Sequence, residues 1–230
     1  MKVWVFVEGR SDCLALDALW GAWKNRLRVA RHGIALIPLD DKSRFFRKIG
    51  HRAAEKLIDS PSDLVVGLPD LYPNDTYVNT EYRHSNLSEL QEVQQRLVAK
   101  ALREVFGRDG ASAGDLLRRF YPSALKHDLE MLLLAAKPQL QSYLRTTDDL
   151  DCWHKPVEEQ NQQRPPKRIV EDLFRTKRRW YYRDTLHAPA ILRKVTDLRQ
   201  VFSDDRGQAQ CPVFQSMVEW VQSRTGVPAY

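Results

Sequence analysis

The stretch VWVFVEGRSD, residues 3–12, decides how the rest of the chain is read. Residues 3–8 are a nearly continuous run of valines and aromatics that closes on Glu8, the composition of a strand buried on both faces. Gly9 and Arg10 break the run, and from Ser11 the pattern changes period. Leu14, Ala18, Leu19, Ala22 and Trp23 recur at three-to-four spacing, which predicts a helix. The same alternation follows downstream. Residues 34–39 read as a second strand, followed by Asp40 and Asp41, and residues 43–58 as a basic amphipathic helix. DLVVGLPD, residues 63–70, is a third apolar run ending in a carboxylate. Strands alternating with helices predict an α/β fold with a mainly parallel sheet flanked by helices. Functional groups in such sheets gather at the carboxyl ends of the strands, where Glu8 and Asp70 both fall.

Residues 71–85 are rich in Pro, Asn, Asp and Tyr and read as a loop. Asn86 with Glu89 resembles a capping box, and Leu87, Leu90, Leu97 and Ala101 line one face of the helix it would open. Residues 120–125 suit a further strand, and HDLEMLLLAA, residues 127–136, a short apolar helix. Residues 146–166 read as a loop, with helices expected near 167–176, 187–195 and 211–224. A boundary near residue 145 divides an α/β core, 1–145, from a helical extension, 146–230.

Of the 230 residues 43% are hydrophobic and 29% charged, which argues against wholesale disorder. No apolar run approaches the ~20 residues of a membrane span. The apolar N-terminus is short and turns charged at Glu8 without a cleavage site, so it reads as a strand and not as a signal peptide. Cys13, Cys152 and Cys211 are far apart and lack CxxC spacing, which speaks against a disulfide scaffold or a structural zinc site. Together these features point to a cytoplasmic protein that uses no membrane. The net charge of +6 favours an anionic partner such as nucleic acid. It has one address: residues 164–183 hold eight Lys and Arg against two acids, and the rest of the chain balances.

In VEGRSD, residues 7–12, a strand ends in Glu8, glycine permits a tight turn and close approach of a phosphate, and Asp12 opens the next helix. Asp70 ends another strand and could face the same cation. Clustered carboxylates repel one another, so Mg²⁺ or Mn²⁺ is a natural neutralising partner and would activate water for attack on a phosphate. Asp12 reads equally well as an N-terminal helix residue favoured by the dipole, and Asp70 as a turn starter. Glu8 is harder to set aside, because an acid ending an apolar strand costs desolvation energy unless it is paired or exposed.

The order strand-Glu-Gly-x-x-Asp-helix, then strand-Asp, resembles the Toprim fold of topoisomerases, primases and overcoming-lysogenization-defect nucleases. GLPDLYPND at 67–75, HDLEMLLLAA at 127–136, RPPKRI at 164–169 and CPVFQSMVEWV at 211–221 resemble segments of one Toprim-like family, DUF4276. The resemblance runs from Val5 to Val221. It implies a Toprim-like core, a nuclease role with Mg²⁺ or Mn²⁺, and a setting in prokaryotic anti-phage loci beside an AAA or ABC-type ATPase. Glu8 matches the Toprim glutamate, Asp70 the first acid of the second motif, and Asp12 the acid after the glycine turn. The general pattern has Asp-x-Asp, whereas this chain has Asp70-Leu71-Tyr72, so the second acid is missing from its usual place. Glu130 and Asp75 are the candidate replacements. His127 and Glu130 would share a face if HDLE is helical, with His127 as proton carrier or phosphate anchor; both could instead cap the apolar segment.

The expected metal set is therefore Glu8, Asp70 and Glu130, with Asp12 and His127 completing the catalytic group. Arg164, Lys167, Arg168, Lys177, Arg178 and Arg179 are expected to grip a nucleic-acid backbone, with Trp180, Tyr181 and Tyr182 interleaved as stacking surfaces. A solvated helix end packed on its aromatic stem reads the same residues without a ligand. The competing reading of the whole chain is a non-catalytic module that binds nucleic acid or regulates the ATPase. A nucleotide enzyme of Rossmann type lacks support, since neither GxGxxG nor GxxxxGK[ST] occurs. The chain is also too short to add strand-passage machinery to a Toprim core.

Overall fold

The computed structural model describes residues 1–150, 152–160 and 162–230. Positions 151 and 161, both within the loop expected over 146–166, lie outside the described residues. Strands β1 (Lys2–Val7), β2 (Gly33–Pro38), β3 (Leu64–Leu68) and β4 (Phe120–Pro122) form one sheet in the order β2-β1-β3-β4, with every pairing parallel. Strand β1 is internal, and its Val5 lies between Leu36 of β2 and Val66 of β3. This position explains the unbroken apolar run: Val3, Val5 and Val7 pack on one face of the sheet and Phe6 on the other.

Helices α1 (Arg10–Leu19) and α2 (Gly21–Val29) follow β1, and α3 (Lys42–Asp59) follows β2. Helices α4 (Leu87–Glu104) and α5 (Gly110–Leu117) follow β3. After β4 come α6 (Glu130–Ala135), α7 (Lys137–Leu144), α8 (Pro166–Arg178), α9 (Asp184–Leu192), α10 (Arg199–Phe202) and α11 (Pro212–Thr225). The expected α/β class and its parallel sheet are thus found. The short helix α10 carried no periodic signal in the sequence.

The two faces of the sheet are covered differently. On one, Phe45, Phe46 and Ile49 of α3 meet Leu90, Val93 and Val98 of α4 beneath Phe6 and Val65. On the other, α1 and α2 share a single core with the helices that follow β4. Trp20 illustrates the sharing: its ring meets Trp23 edge-on at 5.9 Å and stacks on Phe214 of α11 at 6.1 Å. Residues on both sides of position 145 build this core, and among the described residues, 146–230 have no separate one.

Helices α3 and α4 touch closely at Gly50, where an added Cβ would lie 2.6 Å from the Leu97 carbonyl oxygen. That neighbour is backbone and cannot swing aside. Gly50→Ala is therefore expected to lower stability by about 1–2 kcal/mol, overpacking outweighing the gain in helix propensity. A urea-unfolding midpoint equal to or above that of the parent protein would contradict this.

Two local expectations need correction. The fourth strand ends at Pro122, although residues 69–71 and 125 continue its pairing as an isolated bridge between Asp70 and Leu125. The helix after it begins at Glu130 and not at His127. The chain is still leaving the sheet at Leu125, whose N–H donates to the Pro69 carbonyl, so residues 126–129 are spent turning into the helix.

Candidate functional site

In the order β2-β1-β3-β4 the chain leaves β1 toward one edge and later returns to its other side, so the crevice between the carboxyl ends of β1 and β3 is the topological switch point. Glu8 follows β1 and Asp70 follows β3. They meet there: the Asp70 N–H donates to Glu8 Oε1 at 3.0 Å. A cleft of about 190 Å³ opens over this contact, lined by Glu8, Asp12, Asp70, Asp128 and Glu130, with Lys42 and Lys167 among them.

Asp12 sits in the first turn of α1, where its Oδ2 accepts the Gly9 N–H at 2.8 Å. It is thus both a helix-start residue and a wall of the cleft. Gly9 itself has extended backbone, φ −131°, and an added Cβ there would make only ordinary contacts. Asp40, at the end of β2, also reaches the cleft and has φ 83°, a strained conformation for a non-glycine residue. Its carboxylate is tied to Lys48 at 2.6 Å. The next turn starts α3, and its first residue, Lys42, donates from Nζ to the carbonyls of Leu71 at 2.9 Å and Pro73 at 2.7 Å. Its ammonium also acts on Glu8 and Asp70.

Burial dominates the electrostatics. It pushes Glu8 up to about 7, against the pull of Lys42 and the Asp70 N–H, with Asp12 adding to the rise. Burial and the charge of Glu8 hold Asp70 well above the carboxylate range. Asp12 is raised, again by burial first. Across the cleft, burial lifts Asp128 to about 6 and Glu130 to about 8, the latter helped by the charge of Asp128. Two such carboxyls hold a proton between them near neutral pH. Burial lowers Lys42 even though Glu8 and Asp70 oppose the shift.

The far wall comes from α6, α8 and α9. Asp128 Oδ2 accepts the Lys167 N–H at 3.1 Å, at the start of α8, and Lys167 Nζ lies 3.7 Å from Asp184 of α9. Tyr182 turns its hydroxyl toward Glu130 and helps to hold its charge, although neither that hydroxyl nor Glu130 Oε1 completes a bond of standard geometry. Glu130 is only 2% exposed, and its Oε1 and the buried Oδ1 of Asp128 have no partner.

These orphaned oxygens, in an all-oxygen acidic set, are the donors that a hard divalent cation takes. Among the described residues no group of three or more His, Cys, Asp or Glu is already arranged to hold a metal ion. The donors are present without being drawn together, with Lys42 and Lys167 supplying the positive charge between them.

Of the residues expected from sequence, Glu8, Asp12, Asp70 and Glu130 are brought together, and Lys167 joins them. His127 is not: it packs against Tyr72 at 5.5 Å between ring centres, in a separate depression with Glu158 and Gln160. The late start of α6 is the reason, since it turns Asp128 and Glu130 to the cleft and His127 away. Asp75 lies exposed in a short 3-10 turn and does not line the cleft. Nor do Arg164, Arg168, Lys177, Arg178 and Arg179. Arg164 lies near Asp172, Arg168 near Glu171 and Lys177 on Asp148, all exposed pairs worth little.

Lys42, Asp128 and Asp184 were not among the site residues expected from sequence, where Lys42 reads as part of a basic stripe on an exposed helix face. For Lys42 a signal existed, because Asp40-Asp41-Lys42 also follows a strand. Asp128 stood inside the HDLE motif. Asp184 is brought in by the packing of α9 on α1, which leaves no local trace.

The site defines an α/β protein with an acidic cleft at the switch point of a parallel sheet. The chain belongs to the family described as "Domain of unknown function (DUF4276)", whose model matches residues 7–222. A search of curated proteins returns no match. Among solved structures it is similar to the C-terminal region of the Xanthomonas campestris pv. campestris OLD protein, with 14% identity, 97% of this chain and 95% of that chain covered, and a TM-score of 0.45. Among the described residues no helix is long and apolar enough to cross a membrane.

Proposed function

We propose that this chain is a Toprim-like nuclease that hydrolyses phosphodiester bonds of DNA or RNA with Mg²⁺ or Mn²⁺. The observation that carries the reading is the meeting of Glu8 and Asp70 across the switch point, opposite the unpartnered oxygens of Asp128 and Glu130. Glu8, Asp70 and Glu130 would hold the cation, and Asp128 would supply the acid that Tyr72 replaces in the general pattern. A bound divalent cation polarises a phosphate and lowers the pKa of its water. Around it, Asp12 is held in place by the Gly9 N–H, and Lys42 and Lys167 offer ammonium groups to phosphate oxygens. Without a cation the Asp128–Glu130 pair holds a proton near neutral pH, which the cation would displace on binding. Arg164, Arg168 and Lys177 would follow the nucleic-acid backbone by exchanging weak ion pairs for phosphates, with the exposed Arg179 and the half-buried Arg178 beside them. His127 receives no role. The protein would act in the cytoplasm, in anti-phage defence beside an AAA or ABC-type ATPase.

The test is cleavage of labelled DNA and RNA with Mn²⁺ or Mg²⁺ and with excess chelator. Cleavage is expected only with the metal; cleavage that persists in chelator would overturn the assignment. Tyr72 in place of an acid, together with the undrawn donor set, favours a second reading: a non-catalytic module that binds nucleic acid or regulates the ATPase. Calorimetry separates the two, since the second predicts no heat of Mn²⁺ binding at millimolar metal.

A further inference from the structure

Helix α8 ends at Arg179, whose left-handed backbone, φ 55°, turns the chain out of the helix. Four residues, Trp180 to Arg183, then run without helix to α9. Tyr182 points inward, packing on Phe174 at 5.1 Å and His187 at 5.8 Å, with its hydroxyl toward Glu130 in the acidic cleft. Tyr181 points outward and is 91% exposed. Among the described residues no ring or cation stacks on it, whereas the neighbouring Trp180 already carries the Arg178 guanidinium at 4.2 Å from its ring centre. Tyr181 is also anchored on both sides: the Trp180 N–H donates to the Phe174 carbonyl at 3.2 Å, and Tyr182 is wedged in the core.

An exposed aromatic on a fixed link, with Arg178, Arg179 and Arg183 close to it in sequence and Asp184, which lines the cleft, three residues on, combines the parts of a stacking platform. Duplex bases expose their edges and keep their faces stacked on one another, so only an unpaired base can lie flat on such a ring. We infer that the acidic cleft takes unpaired nucleic acid, with Tyr181 stacking on an unstacked base beside the phosphate held in the cleft. The inference rests on the nuclease reading for the role of the cleft, and names the substrate class it would select. Little ordering is needed on binding, because the flanking residues are already fixed.

The experiment measures binding of a labelled single-stranded oligonucleotide, and of the same strand annealed to its complement, with Ca²⁺ supplied as the cation and intact strands verified on a gel. Single-strand binding is expected to be the tighter. Tyr181→Ala should weaken it by about tenfold and leave duplex binding unchanged, and Tyr181→Phe should keep the parent affinity. Duplex binding as tight as single-strand binding, or no loss in Tyr181→Ala, would overturn the inference. Adding Mn²⁺ then separates it from the nuclease reading. Single-strand binding that depends on Tyr181 without any cleavage removes the nuclease reading and keeps this one. Equal, Glu8-dependent cleavage of single and double strands does the reverse.

Discussion

Glu8→Gln is expected to lower metal-dependent cleavage by on the order of 10²- to 10³-fold while leaving the protein folded and raising its melting temperature. The two effects have one cause. Glu8 is half-buried beside Asp70 and Asp12, and its charge is held there at a cost that appears as a pKa of about 7. Glutamine has the same shape, and its carbonyl oxygen can still accept the Asp70 N–H now bonded to Glu8 Oε1. The substitution thus removes an unfavourable half-buried charge without opening a cavity. It also removes a strong oxygen donor from the cation-binding set. Cleavage rates and thermal melting of the two proteins, measured at pH 8 in one preparation, read both effects. Equal cleavage would sink the proposed role of Glu8. Lost cleavage with lost folding would show only that the switch point needs the carboxylate for structure.

The second large effect is on stability itself. In chelator the protein is expected to melt about 5 °C higher at pH 6 than at pH 8. A carboxyl raised by folding holds its proton more tightly in the folded chain than in the unfolded one. Stability therefore falls as pH climbs from the ordinary carboxylate range to the raised value. Asp128 near 6, Glu8 near 7 and Glu130 near 8 set that window, with Asp70 adding in the same direction. Millimolar Mn²⁺ should recover most of the loss at pH 8, because a cation replaces the protons as the neutralising charge. Glu158 titrates near 7 but lies outside the cleft, its oxygens accepting the Val213 and Phe214 N–H groups at the start of α11. Its share of the pH dependence should persist with metal present. Higher stability at pH 8 than at pH 6 in chelator, or no response to Mn²⁺, would show that the cleft does not hold repelling carboxylates in need of a cation.

The parts of this site that were legible in the sequence are those fixed by one strand at a time. Strands β1 and β3 are buried on both faces, so their apolar runs stand out, and the acids that end them stand out with them. The turn into α4 was equally local: Asn86 accepts the Glu89 N–H at 3.0 Å. What was not legible depends on where separate elements meet. Lys42 reads locally as the start of a charged helix, and only the placement of β2 beside β1 carries it to Glu8. Lys167 reads as one of a basic run, but α8 packs on α6 and sets it against Asp128. HDLE misled because its spacing suits a helix, whereas the bridge between Asp70 and Leu125 keeps the chain in the sheet until just before it. That difference exchanged His127 for Asp128.

The core shared across residue 145 constrains how members of this family can be recombined. Trp20 rests on Phe214, and Val3, Val5 and Val7 face the same core as Ile169, Ile191 and Val218. A graft of residues 146–230 from one relative onto another would have to match that whole buried surface to fold. The outer residues of the link between α8 and α9 carry no such obligation: Tyr181 and Arg183 can change without touching a packed side chain. On the stacking role inferred for Tyr181, a change of substrate class would come from single replacements along those few positions and not from exchange of modules.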